Sequence, residues 1–171
     1  KVSAVTKVIW TGEISAAVSS AVSGAVAELE FDTHNQQLIL ENYYRMASRK
    51  TGALFALPAR CIALTGDQLD DVDRLNTIFL NLAVAYQIKD DQSDFLGTKS
   101  GREHSSDLKN GRPNLYHILT RNGRSIEMCF DCINDYQESL VADSIQLADS
   151  LPKQVCVLSL IHISEPTRHE S

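Results

Sequence analysis

The segment Leu75–Asp94 constrains this chain more than any other. It begins LNTIFLNLAVAY and ends QIKDDQSD. Its apolar residues have helical rather than alternating spacing. Continued as a helix to Asp94, the segment sets Asp90 and Asp94 one turn apart on one face, with Asp91 beside them. Gly97 then supplies a stop signal. The three acids would stand at the negative end of the helix dipole, where each costs roughly 0.3–1 kcal/mol. They also repel one another. Carboxylates placed against a dipole call for cations, and a divalent metal is the direct supply.

A second acidic stretch in the same chain serves as a control. Gly66-Asp67-Gln68-Leu69-Asp70-Asp71-Val72-Asp73 precedes the apolar run instead of following it. There Asp67 can cap the helix, and Asp70 and Asp71 fall in its first turn, where the dipole favours negative charge. That stretch reads as structural.

Composition bounds the rest. At 171 residues, 43% hydrophobic and 22% charged, the chain can bury the core of one globular domain. A formal net charge of −6 gives no bias toward nucleic acid. The four cysteines are too few for a disulfide scaffold. Cys129-Phe130-Asp131-Cys132 has no partner pair at zinc-site spacing, so these cysteines read as small core residues. A reducing, cytoplasmic setting is expected. No run approaches the roughly 18 apolar residues of a membrane span, and the start carries no signal-peptide pattern.

Helical spacing dominates along the chain. Ser3–Ala27 carries apolar residues three or four apart, interrupted by Gly12 and Gly24, whose small neighbours favour close helix packing. Leu38–Ser48 and Thr51–Leu64 read as two further helices, the second with a kink at Pro58. Asp67–Phe95 follows. Gly97–Asn114, about 18 residues, is longer than ordinary connections and is expected to be functional or disordered. Leu115–Thr120 and Ser125–Leu151 return to helix. No hairpin chemistry appears, so the expected class is all-α, a helical bundle. Leu158–Arg168, LSLIHISEPTR, resembles the translation of a transposase-derived sequencing adaptor. Residues 1–157 are therefore expected to be one domain part and 158–171 a non-native tail, which removes His162 and His169 from consideration.

Several features complement the acid cluster. Lys50-Thr51-Gly52 is read as a helix opening, whose lysine and amides can face an anion. Gln87 lies three residues before Asp90 on the same helical face. Lys99-Ser100-Gly101 and Ser106–Pro113 add basic residues on Gly-containing loops. Carboxylates followed by mobile Lys and Arg suit a magnesium-bound diphosphate: the metal bridges carboxylate to phosphate oxygen, and the bases neutralise what remains. Tyr43 and Tyr44 read as packing residues, and His104 and His117 as surface or packing residues.

In family order these pieces resemble a trans-isoprenyl diphosphate synthase, of the polyprenyl synthetase family that includes farnesyl and geranylgeranyl diphosphate synthases. Gly24 to Glu30 resembles the family's G-Q-x-x-D-L region, with Ala25 for Gln and Glu28 for Asp. Tyr43–Phe55 resembles the lysine-threonine-glycine segment. Tyr86–Asp94 resembles the second aspartate-rich motif, F-Q-x-x-D-D-x-x-D, with Tyr86 for Phe. Gly97–Leu115 resembles the G-K-x-x-G-x-D-L-x-x-G-K-x-T-L loop, with Arg112 for Lys and Pro113-Asn114 near the usual Thr.

The resemblance implies the isoprenoid synthase fold and a magnesium-dependent prenyltransferase that condenses an allylic diphosphate with isopentenyl diphosphate. It implies that Asp90, Asp91 and Asp94 bind magnesium, that Lys50, Lys99 and Arg112 contact the diphosphate, and that Thr51 and Gln87 face the reacting carbons. It also implies a homodimeric parent. The family's first D-D-x-x-D, with its paired arginines, does not occur in the 171 residues. The chain is accordingly expected to be a C-terminal part, inactive alone, with apolar helix faces left exposed. The competing readings are a class I terpene cyclase, a non-catalytic regulatory subunit of a heteromeric synthase, and a helical interaction domain with chance acidic ends. Lys50-Thr51 and the Lys99–Arg112 loop speak against the cyclase. The intact Asp90-Asp91-Asp94 set speaks against the regulatory subunit.

Overall fold

A computed structural model describes residues 2–31, 39–66, 69–98, 109–121 and 123–151. Six α-helices and no strand occur among the described residues. Lys99, Asp67, His104 and the 158–171 tail lie outside them, so the expectations for those residues are neither met nor corrected.

Helix α1, Ala4–Leu29, starts on Ser3, whose hydroxyl accepts from the Thr6 amide at 3.0 Å. It runs through Gly12 and Gly24 without the expected interruptions. A glycine costs a helix only about 0.5–1 kcal/mol relative to alanine, too little to break so long an element. Helix α2, Ile39–Ala47, passes through a π turn, Ser48–Gly52, into α3, Ala53–Thr65. Ala47 and Gly52 both keep right-handed helical dihedrals, and Ala53 N–H donates to Ser48 O across five residues. The expected pair of helices is therefore one rod with a π turn at its centre. The expectation that Lys50-Thr51-Gly52 opens a helix is corrected by the same observation: no chain break frees its amides to face an anion, so Lys50 must act through its side chain. Pro58 sits in the interior of α3 without ending it.

A 3-10 turn, Leu69–Asp71, leads into α4, Val72–Phe95. Asp71 is only 7% exposed and pairs with Arg74 at 3.3 Å, which gives this acidic stretch a structural role. At the other end Gly97 takes a φ of 70°. Thr98 N–H then reaches Ser93 O at 3.0 Å and Gly97 N–H reaches Asp94 O at 3.2 Å, a paired closure that only a left-handed residue permits. Helix α5, Leu115–Arg121, follows Asn114, and α6, Ile126–Asp149, is capped by Ser125, whose hydroxyl accepts from the Met128 amide at 3.2 Å.

Helix α4 is the central element, packed against α3 and the π turn on one side and α6 on the other. Its apolar middle supplies both parts of the core. Val84, Ala85 and Ile88 meet α2, α5 and α6, while Leu75, Ile78 and Leu82 meet the ends of α3 and α6. Gln137 Nε2 donates to Ala85 O at 2.9 Å and ties α6 to α4. On the far side of α3, Trp10 Nε1 donates to Cys61 O at 3.2 Å, and Arg60 holds Glu13 at 2.7 and 3.3 Å, so α1 is pinned as well. The outward face of α1 leaves Val8, Val18, Val22 and Val26 exposed at 74, 50, 59 and 47%.

Gly24 is where α1 meets the π turn. A Cβ there would lie 2.6 Å from Lys50 Cα and would also collide with Lys50 N, both backbone atoms that cannot swing away. Gly12 has nothing within 4 Å of the same hypothetical atom. We expect Gly24→Ala to cost about 1–3 kcal/mol through overpacking, outweighing the roughly 0.5–1 kcal/mol that alanine contributes to a helix. Gly12→Ala should show only that gain. Urea midpoints of the two variants check the pair, and equal shifts would overturn the close-approach reading.

Candidate functional site

Helix α1, the α2–α3 rod, the end of α4 and the segment before α5 converge on a cavity of about 180 Å³. Tyr43, Met46, Ala47 and Lys50 line it from the rod, at i, i+3, i+4 and i+7 along one stripe. Gln87, Asp90 and Asp91 line it from the last turns of α4, Glu28 from α1, and Arg112 and Pro113 from the approach to α5. The volume is below the roughly 300–1,000 Å³ of pockets that enclose a drug-sized ligand. A small polar group fits, and a long apolar tail would have to lie elsewhere.

Asp91 is 2% exposed, and both of its carboxylate oxygens are engaged. Oδ2 accepts from the Tyr43 hydroxyl and from Leu115 N–H, each at 3.0 Å, and Oδ1 accepts from Gln87 Nε2 at 3.2 Å. Asn114 Nδ2 donates to the Asp91 carbonyl at 2.9 Å. Gln87 is oriented from its other end too, since its Oε1 accepts from the Thr51 hydroxyl at 3.4 Å. Thr51, Gln87, Asp91 and Tyr43 thus form one hydrogen-bonded chain across the rod and α4. Asp90 is partly exposed at the cavity, whereas Asp94 is 1% exposed and lies outside the lining.

Charge on the lining is divided between Glu28, Asp90 and Asp91 on one side and Lys50 and Arg112 on the other. Glu28 Oε1 takes Lys50 Nζ at 2.6 Å, with the two side chains 14% and 31% exposed. A partly solvated pair of this kind contributes about 0–1 kcal/mol, so Lys50 can exchange it for a more highly charged anion. The pairing leaves an excess of carboxylate at the negative end of α4, where a cation is favoured.

The same environment moves the tyrosines. Burial, then the charge of Asp91, pushes the Tyr43 hydroxyl well above its ordinary value near 10. Burial also pushes Tyr116 up to about 12. Below pH 10 both the folded and the unfolded chain keep these protons. Above it the unfolded chain releases them while the folded chain retains them, so stability falls as pH rises. Each tyrosine contributes a slope of about 1.4 kcal/mol per pH unit in that window. Urea midpoints measured from pH 9 to 12 should decline, and Tyr43→Phe should flatten the decline by one proton's worth.

Of the residues singled out from the sequence, the structure brings Lys50, Gln87, Asp90, Asp91 and Arg112 to one cavity. Thr51 joins through Gln87, and Asp94 stands apart from the lining. Lys99 is outside the described residues. Glu28, Tyr43 and Asn114 were not read as site residues. Tyr43 carried a signal, since it lies seven residues before Lys50 on the same helical stripe. Asn114 stood in the loop motif, near the usual Thr, but nothing local pointed to its partner, a backbone carbonyl 23 residues away. His117 packs as expected, its ring centroid 4.9 Å from that of Phe95.

The chain is 31% identical over 93 residues to a geranylfarnesyl diphosphate synthase of Methanosarcina mazei, a match that covers 54% of this chain and 31% of that protein. It is 30% identical over 105 residues to the farnesyl diphosphate synthase of Bacillus subtilis, covering 60% of this chain and 35% of the relative. The matched stretch therefore spans about a third of each curated relative. Residues 3–145 match the sequence profile described as polyprenyl synthetase, most of the chain and every cavity-lining residue. On that match, with an all-helical architecture among the described residues, the chain belongs to the polyprenyl synthetase family.

Proposed function

We propose that the cavity is the diphosphate end of a prenyltransferase site, which takes the head group of an allylic diphosphate for condensation with isopentenyl diphosphate into a longer polyprenyl diphosphate. The observation that supports this most directly is the meeting of Asp90, Asp91, Lys50 and Arg112 around a cavity of head-group size. The names of the relatives agree with the reading, as does the family.

Magnesium fits the donor set. Among the described residues no three His, Cys, Asp or Glu side chains form an all-protein cage. Magnesium seldom uses such a cage and is held instead through one or two carboxylates with phosphate oxygens and water. Asp90 would hold it, with Asp91 beside it and Asp94 acting through the end of α4. Held there, the metal would supply Lewis-acid stabilisation of negative charge on a diphosphate leaving group. Lys50, released from Glu28, and Arg112 neutralise the remaining phosphate charge, and Lys99 adds to them. Thr51 and Gln87 oxygens present the negative ends of their dipoles to the cationic carbons. The allylic carbon–oxygen bond breaks with release of pyrophosphate, the isopentenyl double bond forms the new carbon–carbon bond to that carbon, and the proton then lost passes to the released pyrophosphate.

The parent protein is proposed to be a cytoplasmic homodimer. The exposed valine face of α1 supports further packing by other chain, and no helix among the described residues is long and apolar enough to cross a membrane. The first aspartate-rich motif with its paired arginines does not occur in the 171 residues, and on this proposal the chain alone should bind a head group without turnover. Asp90 and Lys50 at one cavity favour this reading over a regulatory subunit.

Titration with inorganic pyrophosphate should show binding in the presence of magnesium and none after addition of a chelator. Asp90→Asn should weaken the magnesium-dependent part at least tenfold, since a charge-assisted contact contributes about 1.5–3 kcal/mol. Arg112→Ala should weaken binding about tenfold, or about 1.4 kcal/mol. Incubation with both diphosphates and magnesium should yield no prenyl product by mass spectrometry from this chain alone. Product formation would overturn the need for the absent motif, and equal pyrophosphate binding with and without metal would overturn the role of Asp90.

A further inference from the structure

We propose that Asp91 is a positioning residue: its buried carboxylate, with Asn114, sets the place of Arg112 at the cavity, leaving Asp90 to present charge to the ligand. The proposal rests on the diphosphate reading above. Asp91 gathers its donors from three places: Tyr43 on α2, Gln87 on α4 and the first amide of α5. That amide, Leu115 N–H, is one of the groups a helix start leaves without a partner in its own helix. Asn114 closes the arrangement from the other direction. Its Nδ2 holds the Asp91 carbonyl at 2.9 Å, while its Oδ1 accepts from Tyr116 N–H at 3.1 Å and His117 N–H at 3.4 Å. Residues 114 and 115 are thus tied to α4 by side-chain and main-chain bonds together, at sites 1% and 0% exposed.

The tie reaches the ligand site because of what precedes it. Pro113 has a fixed φ and cannot act as a swivel. Arg112, directly before it, lines the same cavity as Asp90. Gly111, with a φ of 67°, turns the chain away immediately upstream. Arg112 is itself exposed at the cavity, and the anchored pair behind it supplies a fixed point two residues away. The two adjacent aspartates therefore divide the work: Asp90 remains partly open to the cavity, and Asp91 is spent on orienting the opposite wall.

Two measurements on the full chain test this. Hydrogen exchange by mass spectrometry, without ligand, should show peptides spanning 112–118 exchanging at least tenfold faster in Asp91→Asn and Asn114→Ala, with peptides from α1 unchanged. Calorimetry with magnesium and inorganic pyrophosphate should show about a tenfold loss of affinity for each variant. In an Arg112→Ala background each should lose less than a further twofold, whereas Asp90→Asn should lose equally in both backgrounds. If Asp91→Asn does not fold, Tyr43→Phe removes a single donor and should give a twofold to threefold loss that likewise vanishes without Arg112. A loss undiminished in the Arg112→Ala background would overturn the proposal, because Asp91 would then act on the ligand directly. Unchanged exchange at 112–118 would overturn the tie itself. If the unsubstituted chain binds no pyrophosphate, the diphosphate reading fails and with it any service to a ligand, while the exchange result still decides whether the tie exists.

Discussion

A carboxylate taken out of water must be met by donors, and the Asp91 carboxylate, 2% exposed, accepts from Tyr43, Gln87 and Leu115 among the described residues. Desolvation without partners would cost far more than the helix could bear. Meeting that demand forces α2, α4 and the start of α5 into one arrangement. The same demand aligns Gln87, and through Gln87 it engages the Thr51 hydroxyl. The pockets of apolar contact around Val84, Ala85 and Ile88 supply the bulk of the burial, but they are non-directional. The carboxylate supplies direction.

A second constraint acts at Gly24. The backbone of α1 comes so near to the π turn that no side chain fits between them. The π turn itself shifts the phase of the rod by one residue at Ser48–Gly52, so that Lys50 reaches Glu28 while Gly52 lies against Leu80. Such turns store the conformational cost of an inserted residue and recur at functional sites. Here the turn carries the lysine, and the glycine opposite lets it approach.

Much of the architecture was legible. The 3.6-residue spacing of Leu75–Tyr86, the Gly97 stop and the helix beginning near Ser125 all appear where the sequence placed them, because each depends on neighbours within a few residues. The acid cluster at the end of α4 was legible for the same reason, and its unfavourable position on the dipole pointed to cations before any contact was known. Two local readings failed. Gly12 and Gly24 did not interrupt α1, because packing along the helix outweighs a small propensity cost. Lys50-Thr51-Gly52 did not open a helix, because α1 and α4 hold the rod together through a turn whose local signals looked like a boundary.

By itself the sequence determined the helical class and the order of the elements, and it singled out Lys50, Gln87, Asp90, Asp91 and Arg112, which meet at one cavity, since these follow from spacing and residue chemistry. Only the tertiary structure decided how adjacent residues differ. Asp90 and Asp91 are equivalent as letters and both line the cavity, yet Asp90 is partly exposed and Asp91 is buried, bonded to Tyr43, Gln87 and Leu115. Tyr43 and Asn114 acquired their roles from partners 48 and 23 residues away. Contacts of that span are set by how three helices pack, and no local pattern carries that information.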